Sequence, residues 1–243
     1  MSTVLGVVSG KGGTGKSTVS CGLAIAFSKL KKSVLLVDLD EGLRCIDLIM
    51  GVDSKVVYDL GDILSGADFE EAIYPAAGYP VIHIVPAPIT PGTLSPDALI
   101  NFLNQATKRY DVLIFDFPAG VDFSLCSALG KYAQFITVCN MDPVSVRDAS
   151  VAAKRLPCVK HEPRLILNRF NAEYIKDGVY KNIDGIIDDS GIRLLGLVPS
   201  TMELAMLSVN HGLSKKGNSL KSFLRIARRL LGENVELPKI KKI

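Results

Sequence analysis

Short runs of β-branched and other apolar residues recur along the chain, and each run ends in turn or polar residues. Runs of this kind predict strands that are buried on both faces, as in a parallel sheet. The predicted strands are Val4–Val8, Val34–Val37, Val81–Val85, Val112–Phe115, Phe135–Val138, Leu165–Leu167 and Leu194–Val198.

Helical patterns lie between these strands. After the first strand, the spacing of apolar residues predicts an amphipathic helix with one apolar stripe, formed by Val19, Leu23, Ala26, Phe27 and Leu30. Because strands and helices alternate almost throughout, the predicted fold is α/β, a doubly wound, mostly parallel sheet with helices on both faces. The ligand site of such a sheet lies beyond the carboxyl ends of its strands. We expect residues 1–233 to form a single domain and residues 234–243 a short basic C-terminal tail.

Composition and charge narrow the class of protein. Of the 243 residues, 48% are hydrophobic and 22% are charged, which supplies a large core and is not the composition of a disordered chain. The 28 basic and 25 acidic residues leave a formal net charge of +3, too small to predict nucleic-acid binding. No apolar run approaches the roughly 20 residues that cross a bilayer, and the N-terminus lacks the pattern of a signal peptide. These observations predict a cytoplasmic protein.

The cysteines and histidines do not form the groups that a metal centre requires. No Cys-x-x-Cys pair occurs, and the histidines do not cluster with the cysteines. Zinc, iron–sulfur and disulfide frameworks are therefore not expected, and the cysteines are predicted to be small buried side chains. The residues concerned are Cys21, Cys45, Cys126, Cys139, Cys158, His83, His161 and His211.

The segment Gly10–Ser17 matches the phosphate-binding pattern G-x-x-x-x-G-K-[ST], placed between the first predicted strand and a helix. Its glycines allow a tight turn whose N–H groups point inward, towards phosphate oxygens at the helix N-terminus. Lys16 is predicted to neutralise the β- and γ-phosphates, and Ser17 to bind Mg²⁺ through its hydroxyl. The predicted nucleotide contacts are Gly10, Lys11, Gly12, Gly13, Thr14, Gly15, Lys16, Ser17 and Thr18.

Acidic residues at two other strand ends complete the predicted site. Asp116 follows Val112–Phe115, where a carboxylate can hold Mg²⁺ directly or through water. Asp38 and Asp40 are two apart in an extended segment, so both carboxylates can lie on one side. We predict that Asp38 helps to hold Mg²⁺ and that Asp40 orients or activates the attacking water, with helix capping as the alternative for either.

A second lysine, Lys11, lies inside the loop. There it adds positive charge beside the phosphates, where phosphoryl transfer develops negative charge, unless it is simply a solvated loop residue. The sequence from Lys11 to Ser17 resembles the deviant Walker A motif of the MinD/ParA ATPases, P-loop NTPases of the SIMIBI type. In that family the first lysine reaches across a dimer to the partner's nucleotide, and the resemblance assigns this role to Lys11.

The resemblance extends along nearly the whole chain in order. Val37–Gly51 resembles the switch I region of the family, Asp116–Gly120 its switch II, and Arg228–Glu233 its last core helix. Other similar segments are Pro143–Ala149, Leu167–Phe170 and Leu197–Ser200. Cys45 departs from the family pattern, which usually carries Asn at this position.

The resemblance implies hydrolysis of ATP to ADP and phosphate, a sandwich homodimer in the ATP state and monomers after hydrolysis. Lys11, Lys16 and Asp40 would be the catalytic residues, and Asn168 and Pro199 would contact the base, although Asn168 fits a strand-end turn nearly as well. Within the family, the resemblance is greatest to the septum-site-determining branch, which implies a switch in cell-division site selection with inhibitor and activator proteins as partners. A ParA-type DNA- or cargo-positioning ATPase and a flagellar-number regulator are the alternatives.

The C-terminal region contains the residues that could contact a membrane surface. Residues 220–231 predict a helix with an apolar face and a basic face, which resembles the last core helix of the family more than a membrane-surface helix. Beyond it, Lys239, Lys241 and Lys242 supply weak, salt-sensitive attraction to an anionic surface. We expect a mainly cytoplasmic protein whose contact with the inner face of the cell membrane is weak or indirect, and no nucleic-acid partner.

Overall fold

The structure, a computed structural model, describes residues 2–157, 161–176 and 180–238. In these residues eight strands form one sheet in the order β3-β4-β2-β5-β1-β6-β7-β8, parallel except for the antiparallel pair β3 and β4. The strands are β1 Thr3–Val8, β2 Val34–Asp38, β3 Tyr74–Ala76, β4 Tyr79–Val85, β5 Val112–Asp116, β6 Gln134–Cys139, β7 Arg164–Phe170 and β8 Arg193–Pro199. The predicted doubly wound α/β fold is confirmed.

Every strand that was predicted from an apolar run is present, but the strand β3 was not predicted. It has three residues, with Pro75 at the centre, and pairs with β4 through a register shift. A proline cannot donate a hydrogen bond to a ladder and is confined to the edges of sheets. A segment this short, with a proline inside it, carries no periodic signal.

Helices connect the strands and cover both faces of the sheet. They are α1 Lys16–Lys29, α2 Ile46–Ile49, α3 Leu60–Leu64, α4 Pro96–Ala106, α5 Phe123–Leu129, α6 Pro143–Arg155, α7 Glu173–Lys176, α8 Ile183–Ser190, α9 Met202–Ala205, α10 Leu207–Asn210 and α11 Asn218–Leu230. A short 3-10 helix, Asp53–Lys55, follows α2.

Alternate residues of the central strands belong to cores on opposite faces. Leu5 and Val7 of β1 join the core beneath α1 and α11, whereas Val4 and Val8 join the core beneath α4 and α5. A third cluster, beneath α6 and α8, covers the β7 and β8 end of the sheet. Because both faces are covered, the strands are continuous apolar runs, as the sequence indicated.

The prediction of an amphipathic α1 with one apolar stripe is wrong. Residues outside the predicted stripe, including Cys21, Ala24 and Ile25, are also fully buried. The reason is that one side of α1 packs on the sheet while the other is covered by α11. A helix between two apolar layers is apolar nearly all round.

The last helix, α11, belongs to the core, as predicted. Leu220, Phe223 and Ala227 are buried against α1 and β8. Arg229 of this helix is partly buried, and its guanidinium donates hydrogen bonds to the carbonyl oxygens of Leu195 and Val235. The apolar face of α11 is therefore not free to enter a lipid layer.

The described part of the chain contains no helix that is both long and apolar enough to cross a membrane. Cys21, Cys126 and Cys139 are buried, as expected of small core side chains, and Cys45 is partly buried. Cys158 and the tail lysines at positions 239, 241 and 242 lie outside the described residues.

Candidate nucleotide-binding site

The glycine-rich loop joins the end of β1 to the start of α1. Gly13 and Gly15 have φ angles of 77° and 82°, in the left-handed region that residues with a side chain rarely adopt. A Cβ atom at Gly15 would also lie 2.3 Å from Nδ2 of Asn168. The loop therefore requires glycine at Gly15, and its backbone lies at the N-terminus of α1, where phosphate groups bind.

Thr14 offers a free hydroxyl within this loop. Thr14 is 1% exposed, and its Oγ1 has no hydrogen-bond partner among the residues that the structure describes. Leaving a buried hydroxyl unpaired costs about 1–3 kcal/mol. Thr14 is therefore suited to donate a hydrogen bond to a phosphate oxygen held by the loop.

The carboxylate of Asp116 accepts hydrogen bonds from three side chains of α1. It ends β5 and is completely buried, and its Oδ2 accepts hydrogen bonds from Lys16 Nζ at 2.8 Å and from Ser17 Oγ at 2.6 Å. Oδ1 accepts a hydrogen bond from Ser20 Oγ at 2.7 Å. Ser20 was missed, although it lies one turn after Lys16 and Ser17 on α1, a spacing that could have revealed it.

The oxygen atoms of Ser17 and Asp116 fit a magnesium ion. Mg²⁺ prefers hydroxyl, carboxylate and phosphate oxygens, and it usually binds through one or two carboxylates and the phosphates of its substrate. A hydroxyl and a buried carboxylate lie together here, beside a loop suited to phosphate. The structure thus brings together Ser17 and Asp116, two of the three predicted magnesium ligands.

Asp38 lies at the end of β2 and is completely buried. Its Oδ1 accepts a hydrogen bond from the N–H of Asp40 at 2.9 Å, and its Oδ2 accepts bonds from the N–H groups of Cys45 and Ile46 at 3.1 and 3.2 Å. Burial, and then the nearby Asp116 carboxylate, raise the pKa of Asp38 from its usual 3.8 to about 7, although the three amides lower it. Asp38 thus organises the loop after β2.

Asp40 is partly exposed, unlike Asp38. Partial burial raises the pKa of its carboxyl group, Lys16 lowers it and Asp116 raises it, so Asp40 lies within range of both charges. Its carboxylate forms no hydrogen bond or ion pair with another described residue. Asp40 is therefore the acidic group of the site that is free to contact water.

Lys11 forms an ion pair within its own chain. Its Nζ lies 3.2 Å from Oδ1 of Asp142, and the two side chains are 36% and 47% exposed. The same Oδ1 accepts a hydrogen bond from the N–H of Ser145, so Asp142 also caps α6. Asp142 was missed because only an N-cap pattern marked it, and such a pattern does not indicate a lysine partner.

Asn168 lies at the end of β7, against the glycine-rich loop. It is 3% exposed, and its Nδ2 donates a hydrogen bond to the carbonyl oxygen of Thr14 at 2.7 Å. Next to it is a cavity of about 250 Å³. Its lining includes Thr18, Asn168, Arg169, Pro199, Ser200 and Leu204. The structure thus brings Thr18, Asn168 and Pro199 to one cavity beside the loop.

Cys45 lies at the N-terminus of α2, close to this site. Burial raises the pKa of its thiol to about 11, although a hydrogen bond with Ser17 lowers it. The thiol is therefore protonated at neutral pH. Cys45 contributes its backbone N–H to Asp38 in the same loop.

The family model of the CobQ/CobB/MinD/ParA nucleotide binding domain matches residues 5–214. This match includes the glycine-rich loop and every predicted site residue. The chain belongs to this family. Residues 5–214 therefore form a nucleotide-binding domain of the MinD/ParA type.

Relatives among characterised proteins are named for cell division. The chain is 32% identical to the septum site-determining protein MinD of Bacillus subtilis over 247 residues, which cover 98% of this chain and 92% of the relative. It is 28% identical to MinD of Thermotoga maritima over 98% of this chain and 91% of that relative.

Solved MinD structures resemble the fold over almost the full length. A chain of the MinC:MinD cell division protein complex of Aquifex aeolicus superposes with a TM-score of 0.86 at 27% identity, covering 98% of this chain and 99% of that chain. MinD of Pyrococcus horikoshii in complex with Mg-ADP superposes with a TM-score of 0.78 at 25% identity, covering 95% and 96%.

Proposed function

We propose that this chain is a MinD-type ATPase that hydrolyses MgATP to ADP and phosphate and acts as an ATP-dependent dimeric switch in cell-division site selection. The observation that carries the proposal is the contact of Lys16 and Ser17 with the buried carboxylate of Asp116 at the N-terminus of α1. A loop lysine, a hydroxyl and a strand-end acid are the parts that P-loop NTPases use to bind MgATP. The septum site-determining relatives support the role in cell division.

Phosphate binding would use groups that are now paired with one another. Ser17 and Asp116 would hold Mg²⁺, with Asp38 assisting through water. When bound, the ion offsets negative charge on the β- and γ-phosphates. Lys16 would turn from Asp116 to the same phosphate oxygens, exchanging one anionic partner for another. The Mg-ADP complex of the Pyrococcus horikoshii relative supports this choice of ligand.

Hydrolysis needs a group that orients water towards the γ-phosphate. Asp40 is suited to this role because it is partly exposed and its carboxylate has no partner among the described residues. Burial raises its pKa, which makes the carboxylate a stronger base. We assign to Asp40 the positioning and activation of the attacking water.

Dimerisation would depend on Lys11. Its ion pair with Asp142 is partly exposed, and exposed pairs contribute about 0–1 kcal/mol, so Lys11 can leave Asp142 at little cost. A phosphate chain in the partner subunit would offer more negative charge than one carboxylate. Lys11 would then stabilise the homodimer in the ATP state and the charge that develops during hydrolysis.

The base would occupy the cavity beside the loop. Thr18, Asn168 and Pro199 line it, next to the loop that binds the phosphates. Division-inhibitor and activator proteins would be the partners, and the likeness to a chain of the MinC:MinD complex supports the first of these. A net charge of +3 gives no support to a nucleic-acid partner.

The Lys16→Ala variant tests the nucleotide site. Removing the charge that neutralises the phosphates should abolish ATP binding, rather than only slow the turnover. Binding of a fluorescent ATP analogue and phosphate release, both with Mg²⁺, are the measurements. We expect an affinity loss of at least about a hundredfold, since charged contacts to phosphate are strong.

Lys131→Ala is the matched control, because Lys131 is an exposed lysine after α5, away from the loop. It should bind and hydrolyse ATP like the unaltered protein. ATP affinity close to that of the unaltered protein in Lys16→Ala would refute the nucleotide site. ATP-dependent binding to DNA would favour a ParA-type function instead of division-site selection.

A further inference from the structure

Glu41 makes an unusual set of contacts with a distant loop. Its Oε1 accepts hydrogen bonds from the N–H groups of Thr93 and Leu94 at 2.7 and 2.9 Å, and its Oε2 accepts one from the N–H of Gly92 at 2.9 Å. These three consecutive amides belong to the loop between β4 and α4. Hydrogen bonds to a charged group are stronger than those between neutral groups, so three of them hold the carboxylate against this loop.

A backbone contact next to Glu41 reinforces this attachment. The N–H of Gly42 donates to the carbonyl oxygen of Pro88 at 3.0 Å. Gly42 has a φ of 80°, and a Cβ atom there would lie 3.5 Å from Cγ of Pro91. The turn after β2 is thus attached to residues 88–94 by one carboxylate and one amide.

Asp40, the residue before Glu41, lacks such an anchor on its own side chain. Its position is set by its backbone, since its N–H donates to Asp38 and its carbonyl oxygen accepts bonds from the N–H groups of Leu43 and Arg44. Any motion of the turn would therefore move the carboxylate of Asp40. In enzymes, a displacement of about 1 Å of a reacting group can lower the rate about a hundredfold.

We propose that Glu41 is a positioning residue for ATP hydrolysis, whose carboxylate, bound to the amides of Gly92, Thr93 and Leu94, keeps Asp40 in place to orient the attacking water. This inference rests on the proposed ATPase function and on the role of Asp40 in it. Because both carboxylate oxygens of Glu41 are bound to these amides, Glu41 would act through Asp40 and not on the phosphates or the water directly. Its loss should leave ATP binding intact and reduce turnover.

The variants Glu41→Gln, Glu41→Asp and Glu41→Ala of the full chain test this role. Gln keeps one oxygen for the amides of Thr93 and Leu94 but presents an NH₂ group to the N–H of Gly92, whereas Asp is too short to reach the loop. We expect the smallest loss of kcat for Glu41→Gln and larger losses for Glu41→Asp and Glu41→Ala. For Glu41→Ala, kcat should fall by about ten- to a hundredfold. KM for ATP and the affinity for a nucleotide analogue should change less than about threefold.

Three comparisons separate positioning from a general structural effect. Glu71→Ala removes an exposed glutamate with no side-chain partner among the described residues, and should leave kcat unchanged. The thermal unfolding midpoint of each variant shows whether lost activity reflects lost folded protein. In Asp40→Ala, adding Glu41→Ala should lower kcat no further, because both changes remove the same alignment.

The outcomes distinguish this inference from the function on which it rests. Normal kcat in Glu41→Ala, a parallel loss of nucleotide affinity, or additive losses in the double variant would overturn the positioning role alone. Normal turnover in Asp40→Ala would overturn the role of Asp40 and, with it, this inference. Absence of ATP hydrolysis by the unaltered protein would overturn both.

Discussion

At the scale of single residues, the two lysines of the glycine-rich loop differ in how firmly their own chain holds them. Lys16 pairs with Asp116 in a buried position, whereas the pair of Lys11 and Asp142 is partly exposed. Breaking a buried pair leaves an uncompensated charge and costs several kcal/mol, but an exposed pair contributes about 0–1 kcal/mol. Lys16 therefore leaves its carboxylate only for another anion, whereas Lys11 can leave Asp142 at little cost in free energy.

The Lys11→Ala variant tests that difference. It should bind ATP as a monomer, because Lys16 and the loop backbone remain. The ATP-dependent dimer should be lost, and stimulated hydrolysis should fall by about 10³-fold or more, as for other cationic groups supplied in trans. Light scattering after gel filtration in ATP and in ADP, together with phosphate release, measures both effects.

Asp142→Asn is the matched control for Lys11. Asn also caps helices well, so the N-terminus of α6 should be retained while the charge that holds Lys11 is removed. This variant should form the dimer at least as readily as the unaltered protein. A normal ATP-dependent dimer in Lys11→Ala would rule out the cross-subunit role.

At the scale of elements, α1 joins the nucleotide loop to the rest of the fold because it is enclosed between the sheet and α11. Its close approach to α11 depends on Gly22, where an added Cβ atom would lie 2.3 Å from two ring carbons of Phe223. Phe223 is fully buried, so its ring cannot move into solvent. The position of α1, and with it that of Lys16 and Ser17, therefore depends on this contact.

The Gly22→Ala variant should destabilise the protein by about 1–3 kcal/mol, because overpacking outweighs the helix propensity that alanine adds. Urea unfolding followed by circular dichroism measures the change. Replacing Phe223 by Leu in the same chain should restore part of the loss.

Gly185→Ala, in α8, is the control. The nearest atom to its added Cβ lies at 3.5 Å, so this variant should be neutral or stabilised by up to about 1 kcal/mol. Stabilisation by Gly22→Ala would contradict the packing argument.

At the scale of the whole molecule, the burial of α11 limits how the protein can meet a membrane. Its apolar face, which includes Leu220, Phe223 and Ala227, packs on α1 and β8. In the C-terminal region, the outer basic surface of α11 and the segment after the helix are the parts that can meet lipid. In that segment, the carbonyl oxygen of Val235 accepts hydrogen bonds from Arg229, and the side chain of Leu237 is exposed. Cationic groups near an anionic surface contribute about 1 kcal/mol each and are screened by salt.

We expect the purified protein to sediment weakly with anionic liposomes at low salt and not at all with neutral ones. Raising the salt should release it, since the attraction is electrostatic. A variant without residues 234–243 should lose most of the weak binding. Strong ATP-dependent sedimentation with anionic liposomes that persists at high salt would show that the expectation of weak membrane contact is wrong.

Much of the fold could be predicted because parallel strands that are buried on both faces are continuous apolar runs, as in Val112–Asp116. This reasoning did not predict the strand β3, and it gave the wrong surroundings for α1. The strand β3 is too short to show a period, and Pro75 argues against a strand. The surroundings of α1 were misjudged because the spacing of apolar residues describes one helix and not the second layer that covers it.

The sequence by itself determined the glycine-rich loop and the convergence of Lys16, Ser17 and Asp116, because these depend on a local pattern and on the rule that parallel strands end at one edge of a sheet. Only the tertiary structure decided which partners the charged groups have. Lys11 meets Asp142 across 131 positions of sequence, and Glu41 meets Thr93 across 52. The partners of such side chains lie on elements that are distant in sequence and become neighbours only when the whole chain folds. The local spacing of residues therefore does not predict these contacts.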